Sequence, residues 1–306
     1  MGKRIAVLMG GVSSEREVSL LSGAAVTDAL NNQGYEVLSI DVGHDLGAVI
    51  TELDPAPDAV FNALHGRYGE DGCFQGALQL LSIPYTHSGV LASAIAMDKP
   101  TAKRLFKGAG IPCAEHVITT REEVLTRDVM DQPYVVKPLN EGSSVGVQIV
   151  QLGAKRSFVA DPLWPVSDKV MVEKFVPGRE ITVAVMGDRA LGVTELRTNG
   201  GFFDYDAKYT KGRATHIVPA SLPQKVYAAA MEYAVAAHNI LGCRGVTRAY
   251  LRYDDTQSGP GRLVMLENNT QPGMTPLSIV PEQAAHAGIG FGDLVSWIVE
   301  NATCEN

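Results

Sequence analysis

The chain has 306 residues, more than one hydrophobic core usually serves, so two or three domains are expected. Hydrophobic residues make up 45% and charged residues 20%, no apolar run approaches the roughly 20 residues of a membrane helix, and the net charge is −8, so neither a membrane nor a nucleic acid is expected as a partner. Four scattered cysteines (Cys73, Cys113, Cys243, Cys304) form no CxxC pair, which argues against a disulfide framework or a zinc site and fits unpaired thiols in a reducing cytoplasm.

MGKRIAVLMGG has a basic pair and an apolar run, but the run is short, ends in glycines and lacks a small-residue cleavage site. It reads as a first β-strand, not a signal peptide. SSEREVSLLSGAAVTDALNNQG follows as a helix with a serine-rich start and a glycine stop. YEVLSIDV and DAVFNALHG are two more strands, and DGCFQGALQLL a helix. Apolar strands alternating with helices imply a parallel sheet covered on both faces, with ligands bound at the loops beyond the strands' carboxyl ends. Those loops here are GGVSSE and HGRYGEDG. A long helix spans 91–110 and starts or kinks at Pro100.

The pattern then changes. HVIT, YVVKPL, VGVQIV, KVMVEKFV, EITVAVMG and ALGVTEL are β-rich with short connections, the mark of a mostly antiparallel sheet. PQKVYAAAMEYAVAAHNILG is a long helix before two strands, GVTRAYLRYD and GRLVMLENN, joined by the turn-rich DTQSGP. Two apolar helices close the chain. The order is a Rossmann-like unit (1–97), a small α+β domain (98–180) and a larger α+β domain (181–306): α/β and α+β together.

Four segments carry the chemistry. NEGSSVGV (140–147) lets backbone N–H groups and the hydroxyls of Ser143 and Ser144 point at a phosphate, although it lacks the Lys-Ser/Thr ending of a P-loop. Lys137 on the preceding strand adds a charge aimed the same way; the alternative is a plain hairpin loop. VEKFVPGRE (172–180) is an extended segment that can pair its backbone with an adenine edge while a glutamate takes ribose hydroxyls, or simply a strand and turn. FDYDAKYTKG (203–212) is a polar loop fit for a lid, or an exposed turn. On the two late strands, period-two alternation puts Arg248 with Tyr250 and Glu267 with Asn269, so that, paired antiparallel, all four line one patch. Glu267 and Asn269 offer oxygen ligands to Mg²⁺ on nucleotide phosphates, and Arg248 a charge for an oxyanion or a phosphoryl group; the alternative is a solvated polar edge.

IAVLMGGVSSEREVSLLSG, ALHGRYGEDG, IPYTHSG, MDKPTAK, VVKPLNEGSSVGV, EKFVPGREITVAV, YDAKYT and NNTQPGMTPLSIVPE together closely resemble the D-alanine–D-alanine ligases of the ATP-grasp superfamily, from end to end. The resemblance implies an ATP-grasp fold and a two-step ligation. ATP phosphorylates the carboxylate of one D-alanine, and the amine of a second attacks the acyl phosphate to give a dipeptide for peptidoglycan synthesis. It implies that Glu15 holds the first amino group and that His65 and Glu70 support the substrate loop. Ser143, Tyr209 and Ser278 orient substrates and lid. Lys99, Lys137 and Lys208 face the phosphates, with Ser144 beside them. Glu173, Lys174 and Val176 hold adenine and Glu180 the ribose, while Arg248 and the backbone of Gly273 form the oxyanion hole. ATP is then the co-substrate, Mg²⁺ or Mn²⁺ the cofactor, and a cytoplasmic homodimer the expected form.

Two departures stand out. The family's third metal ligand is an aspartate two residues after the arginine; here that position is Tyr250, a neutral phenol, and Asp254 and Asp255 lie at the strand's far end. Asn268 stands where the family has a small or aliphatic residue, on the face opposite Glu267 and Asn269, where an unpartnered amide costs about 1–3 kcal/mol. Tyr250 keeps open a second reading, a catalytically impaired relative that binds nucleotide or D-amino acid. A nicotinamide-dependent oxidoreductase is excluded because GGVSSE lacks the GxGxxG fingerprint.

Overall fold

The computed structural model describes residues 2–154, 168–198 and 212–304. Three sheets organise these residues. The first is parallel, in the order β2-β1-β3, from β1 (Arg4–Gly10), β2 (Glu36–Val42) and β3 (Ala59–Asn62). In β1, Ile5 to Leu8 are all fully buried, because both faces of the sheet are covered. Ile5 and Val7 pack on Val26 and Leu30 of α1 (Arg16–Asn32) and on Leu294 and Val295 of α9 (Phe291–Glu300). Ala6 and Leu8 face Ile40, Val60 and Tyr85 on the other side. Helix α1 ends at Gly34, whose φ of +86° no bulky residue adopts cheaply.

Helices α2 (Leu46–Glu52) and α3 (Cys73–Leu80) flank this sheet. The long helix expected over 91–110 is two helices, α4 (Val90–Met97) and α5 (Lys99–Gly108). Asp98 separates them in an extended conformation and accepts the N–H of Thr101 at 2.9 Å, so α5 starts on a side-chain cap with Pro100 in its first turn. The second sheet is antiparallel, β4-β7-β5-β6, from β4 (His116–Thr120), β5 (Tyr134–Pro138), β6 (Gln148–Val150) and β7 (Lys169–Lys174), with α6 (Arg121–Thr126) between β4 and β5.

The third sheet is antiparallel, β10-β9-β8-β11-β12, from β8 (Arg179–Met186), β9 (Arg189–Thr198), β10 (Ala214–Ile217), β11 (Val246–Asp254) and β12 (Arg262–Asn269). On one face, Val183, Val185, Ala249 and Leu251 meet Ala230, Ala234 and Ala237 of α7 (Gln224–Ile240) and Ala102 and Phe106 of α5. The other face turns Tyr250 toward Leu196 and toward Ile279 of α8 (Ile279–His286). This alternation aims Arg248, Tyr250 and Arg252 away from the apolar layer. Among the described residues no helix is long and apolar enough to cross a membrane.

Candidate active site

The register of β11 on β12 sets Arg248 opposite Asn269 and Tyr250 opposite Glu267. These side chains lie where two depressions meet, each roughly 900 Å³ including its open mouth. The first is lined by Glu15, His65, Glu70, Ser143, Arg248, Asn269, Gly273 and Ser278. The second is lined by Lys137, Ser144, Glu173, Lys174, Val176 and Glu180. Lys99, Glu141, Tyr250 and Glu267 line both and form the shared wall. Lys208 and Tyr209 of the expected lid lie outside the described residues.

Two buried carboxylates dominate the first depression. Glu15 sits at the start of α1, in the positive field of the helix end, and the hydroxyl of Ser143 donates to it. Glu70 accepts the N–H of Gly66 at 3.0 Å. Burial, then the neighbouring charge of Glu15, pushes the Glu70 carboxyl up to about 8. The loop 140–147 reaches both acids through Gly142, where a Cβ would fall 2.9 Å from Glu15 Oε2 and 3.2 Å from Glu70 Oε1. The next two residues, Ser143 and Ser144, have φ of +48° and +61°, a region that non-glycine residues enter at a cost and that concentrates at functional loops. A site with two acids and one hydroxyl suits an ammonium group.

Across from the acids, the Arg248 guanidinium stacks 4.6 Å above the Tyr250 ring. Its buried Nε has no hydrogen-bond partner among the described residues, so it has capacity for an anion. His65 is buried beside it; desolvation, then the Arg248 charge, lowers its imidazole to about 4, so it is neutral at physiological pH. Ser278 Oγ accepts the N–H of Thr275 at 2.9 Å, and a Cβ on Gly273 would meet that oxygen at 3.0 Å, so the 273–278 turn is tightly folded.

In the second depression two side chains of the segment expected to hold adenine have partners within the protein. The Glu173 carboxylate lies between Lys137 at 2.6 Å and Lys103 at 2.5 Å. The Lys174 ammonium donates to the carbonyl of Asp131 at 3.1 Å. Glu180 pairs with Arg252 at 3.2 Å, and Arg252 also donates to the carbonyls of Val176 and Gly178, each at 3.0 Å. Arg252 therefore fixes the 176–180 turn and its glutamate. It was not singled out from sequence, though it continues the period-two row of Arg248 and Tyr250. Lys99 donates to the carbonyl of Glu141 at 2.5 Å and lies 4.0 Å from Glu267 Oε2.

The donors fit an oxygen-seeking divalent ion with two protein ligands. Glu267 and Asn269 project from alternate positions of β12, and Asn269 Oδ1, which accepts the Gln271 N–H at 2.7 Å, keeps a second lone pair. No group of three or more His, Cys, Asp or Glu suited to a metal occurs among the described residues. Asn268 is buried; its Nδ2 has only Cys243 Sγ at 3.8 Å, and its Oδ1 has no partner among the described residues.

The D-ala D-ala ligase N-terminus family model matches residues 4–54 and 47–88, and the D-ala D-ala ligase C-terminus model residues 105–300. The chain is 57% identical to a D-alanine–D-alanine ligase of Acidiphilium cryptum over 302 residues, 99% of each chain. It is also 57% identical to one of Rhodospirillum rubrum over 306 residues, all of both chains. The fold matches the crystal structure of the Bacillus anthracis D-alanine–D-alanine ligase complexed with ATP, with a TM-score of 0.80 at 32% identity, covering 98% of this chain and 96% of that one. With matches running the length of the chain and a fold to agree, this chain belongs to the D-alanine–D-alanine ligase family.

Proposed function

We propose that this chain joins two D-alanines into D-alanyl-D-alanine for peptidoglycan synthesis, converting ATP to ADP and phosphate through an acyl phosphate. The observation that carries the reading is the shared wall: a depression suited to an amino acid and one suited to a nucleotide meet at Lys99, Tyr250 and Glu267. Phosphoryl transfer needs reacting groups held in line at such a junction. The relatives, named as ligases, give the impaired-binder alternative no support over this reading.

In the first step a carboxylate oxygen of the first D-alanine attacks the γ-phosphorus and ADP leaves. Glu15, with Glu70 beside it, holds the ammonium of that D-alanine. Lys99 and Lys137 face the phosphates, with the 140–147 loop and its hydroxyls, Ser143 and Ser144, over them. The backbone of Glu173 to Val176 receives adenine and Glu180 the ribose. Glu267 and Asn269 would hold Mg²⁺ or Mn²⁺, which would supply charge to offset the phosphates. In the second step the free amine of the second D-alanine attacks the carbonyl carbon. Arg248 and the Gly273 backbone hold the oxyanion, Ser278 orients the second substrate, and phosphate leaves as the carbonyl re-forms. Tyr209 and Lys208 close over the acyl phosphate and exclude water.

The division at residues 97 and 180 belongs to the same reading, supported by the first two sheets, which each keep to one span, while β8 of the third begins at Arg179, two residues before the second boundary is passed. A cytoplasmic homodimer completes it. The test is direct: ATP, Mg²⁺ and D-alanine should yield dipeptide and phosphate in equal amounts. Absence of dipeptide across a Mg²⁺ titration overturns the assignment.

A further inference from the structure

Lys103 is fully buried on α5, and nothing in the chemistry above uses it. An ammonium without water costs several kcal/mol unless partners compensate it. It has two partners. Glu173 Oε1 on β7 lies 2.5 Å away, an ion pair. The carbonyl of Met265 on β12 accepts from it at 3.3 Å. The other carboxylate oxygen of Glu173 takes Lys137 at 2.6 Å. Burial alone pushes the Glu173 carboxyl up, but the charges of Lys137 and Lys103 outweigh it and hold the group well below the usual carboxylate range, ionised.

One carboxylate thus serves two ammoniums, leaving a surplus positive charge in a dry setting. Lys137 and Glu173 line the nucleotide-sized depression; Lys103 stands behind them. Without Lys103, Glu173 and Lys137 cancel, and this pair presents no net charge to a phosphate. Lys103 also ties β7 to β12 two residues before Glu267, joining the two walls of the cleft.

We propose, on the nucleotide reading above, that Lys103 is a positioning residue for ATP: it engages Glu173 so that Lys137 keeps its charge for the phosphates. A purely structural ion pair predicts a loss of stability alone, so the readout is binding. The full chain is titrated with ADP and with ATP by calorimetry, and KM is measured separately for ATP and for D-alanine. Lys103→Met should weaken nucleotide binding roughly tenfold or more, the scale of losing one partly screened charge, and leave the D-alanine KM within about twofold. Lys103→Met/Glu173→Gln, which frees Lys137 again, should regain most of that binding even though both ion pairs are gone. Wild-type nucleotide affinity in Lys103→Met, or a double variant as weak as the single one, overturns the proposal. Should the single variant not fold, the double variant decides by itself: binding within about threefold of wild type supports the proposal and a roughly tenfold loss overturns it. A wild-type chain that binds ADP but makes no dipeptide counts against the proposed reaction and leaves this test intact.

Discussion

Replacing Tyr250 with aspartate probes the shared wall most directly. The residue is 5% exposed, faces Glu267 across the strand pair, and packs on Leu196 and Ile279. Side chains so paired are about 5 Å apart. At an effective dielectric of about 20, a new carboxylate at that distance attracts a divalent ion by about 7 kcal/mol and repels the Glu267 carboxylate by about 3 kcal/mol. Desolvation takes more, since the site is nearly dry, so the net gain in metal hold is about 1–3 kcal/mol, or roughly ten- to hundredfold. Losing the ring opposes this in the metal-free protein: truncating a buried aromatic costs about 3–5 kcal/mol, and Arg248 loses the face it stacks on. Tyr250→Asp should therefore melt lower than wild type without ligand, yet gain more from Mg²⁺ with ADP, because a ligand that binds only the folded state stabilises it by mass action. In turnover assays the Mg²⁺ needed for half-maximal rate should fall and kcat should rise ten- to hundredfold. The paired readouts are thermal shift and initial rate across a Mg²⁺ titration. If neither differs from wild type in its Mg²⁺ dependence, the tyrosine is not at the metal and this account of the site is wrong.

Glu15→Gln should raise the D-alanine KM at the first subsite far more than the ATP KM; equal losses in both would sink the assignment of the acid to the ammonium. Asn268→Val removes an amide whose oxygen is unsatisfied in the core, so it should stabilise by about 1–3 kcal/mol and raise the melting temperature by a few degrees; a lower melting temperature would mean that the amide is satisfied. Glu70 has a folded-state pKa of about 8, above its ordinary 4.5, so between these values the folded protein holds a proton that the unfolded chain has lost, and stability falls as pH rises through this window. Glu70→Gln should flatten that decline by up to about 1.4 kcal/mol per pH unit, read as the difference from wild type in denaturant melts from pH 6.5 to 8; the buried His65 and His87, whose pKa values lie at about 4 and 3, add an opposite slope that fades toward pH 8 as the unfolded chain's imidazoles lose their protons, and because both proteins share it, it cancels in the difference. Identical pH slopes in the two proteins would mean that burial and Glu15 do not hold Glu70 as a neutral acid.

How much of this was legible before any coordinates depended on the range of the interaction. Arg248, Tyr250, Glu267 and Asn269 share a face by strand alternation alone, and the β11–β12 register brings them opposite one another. The start of α5 was legible less sharply: proline drew the break to residue 100, whereas the cap is Asp98, whose carboxylate holds the first turn. Helices α2 and α6, of 7 and 6 residues, are too short to show a helical period, and packing decides them. Lys103 and Glu173 meet only because α5 crosses behind β7 and β12, and no local pattern marks an ion pair between residues so far apart in the chain. The same packing holds the Glu173 carboxylate between two lysines, a pairing that the strand pattern of VEKFVPGRE does not mark.

These charges interact through the nucleotide. On the proposed reading, the several negative charges of ATP are met by Lys99, by the surplus charge at Lys137, and by whatever metal Glu267 and Asn269 retain. A carboxylate at position 250 strengthens the metal's hold but adds a negative charge to a wall that phosphates must approach. A tyrosine there gives up the metal's third anchor and leaves the lysines less opposed. Metal affinity and metal-free nucleotide affinity should thus move in opposite directions on Tyr250→Asp, as Lys99 lies 4.0 Å from Glu267 and would have a second carboxylate to pair with. The phenol does not leave a hole, because its ring fills the space between Leu196 and Ile279 and gives Arg248 a face to stack on. Arg248, proposed for the oxyanion, can therefore stay in place while the proposed metal site loses one anchor, so the cost of tyrosine should fall on the phosphoryl-transfer step more heavily than on the attack by the second D-alanine.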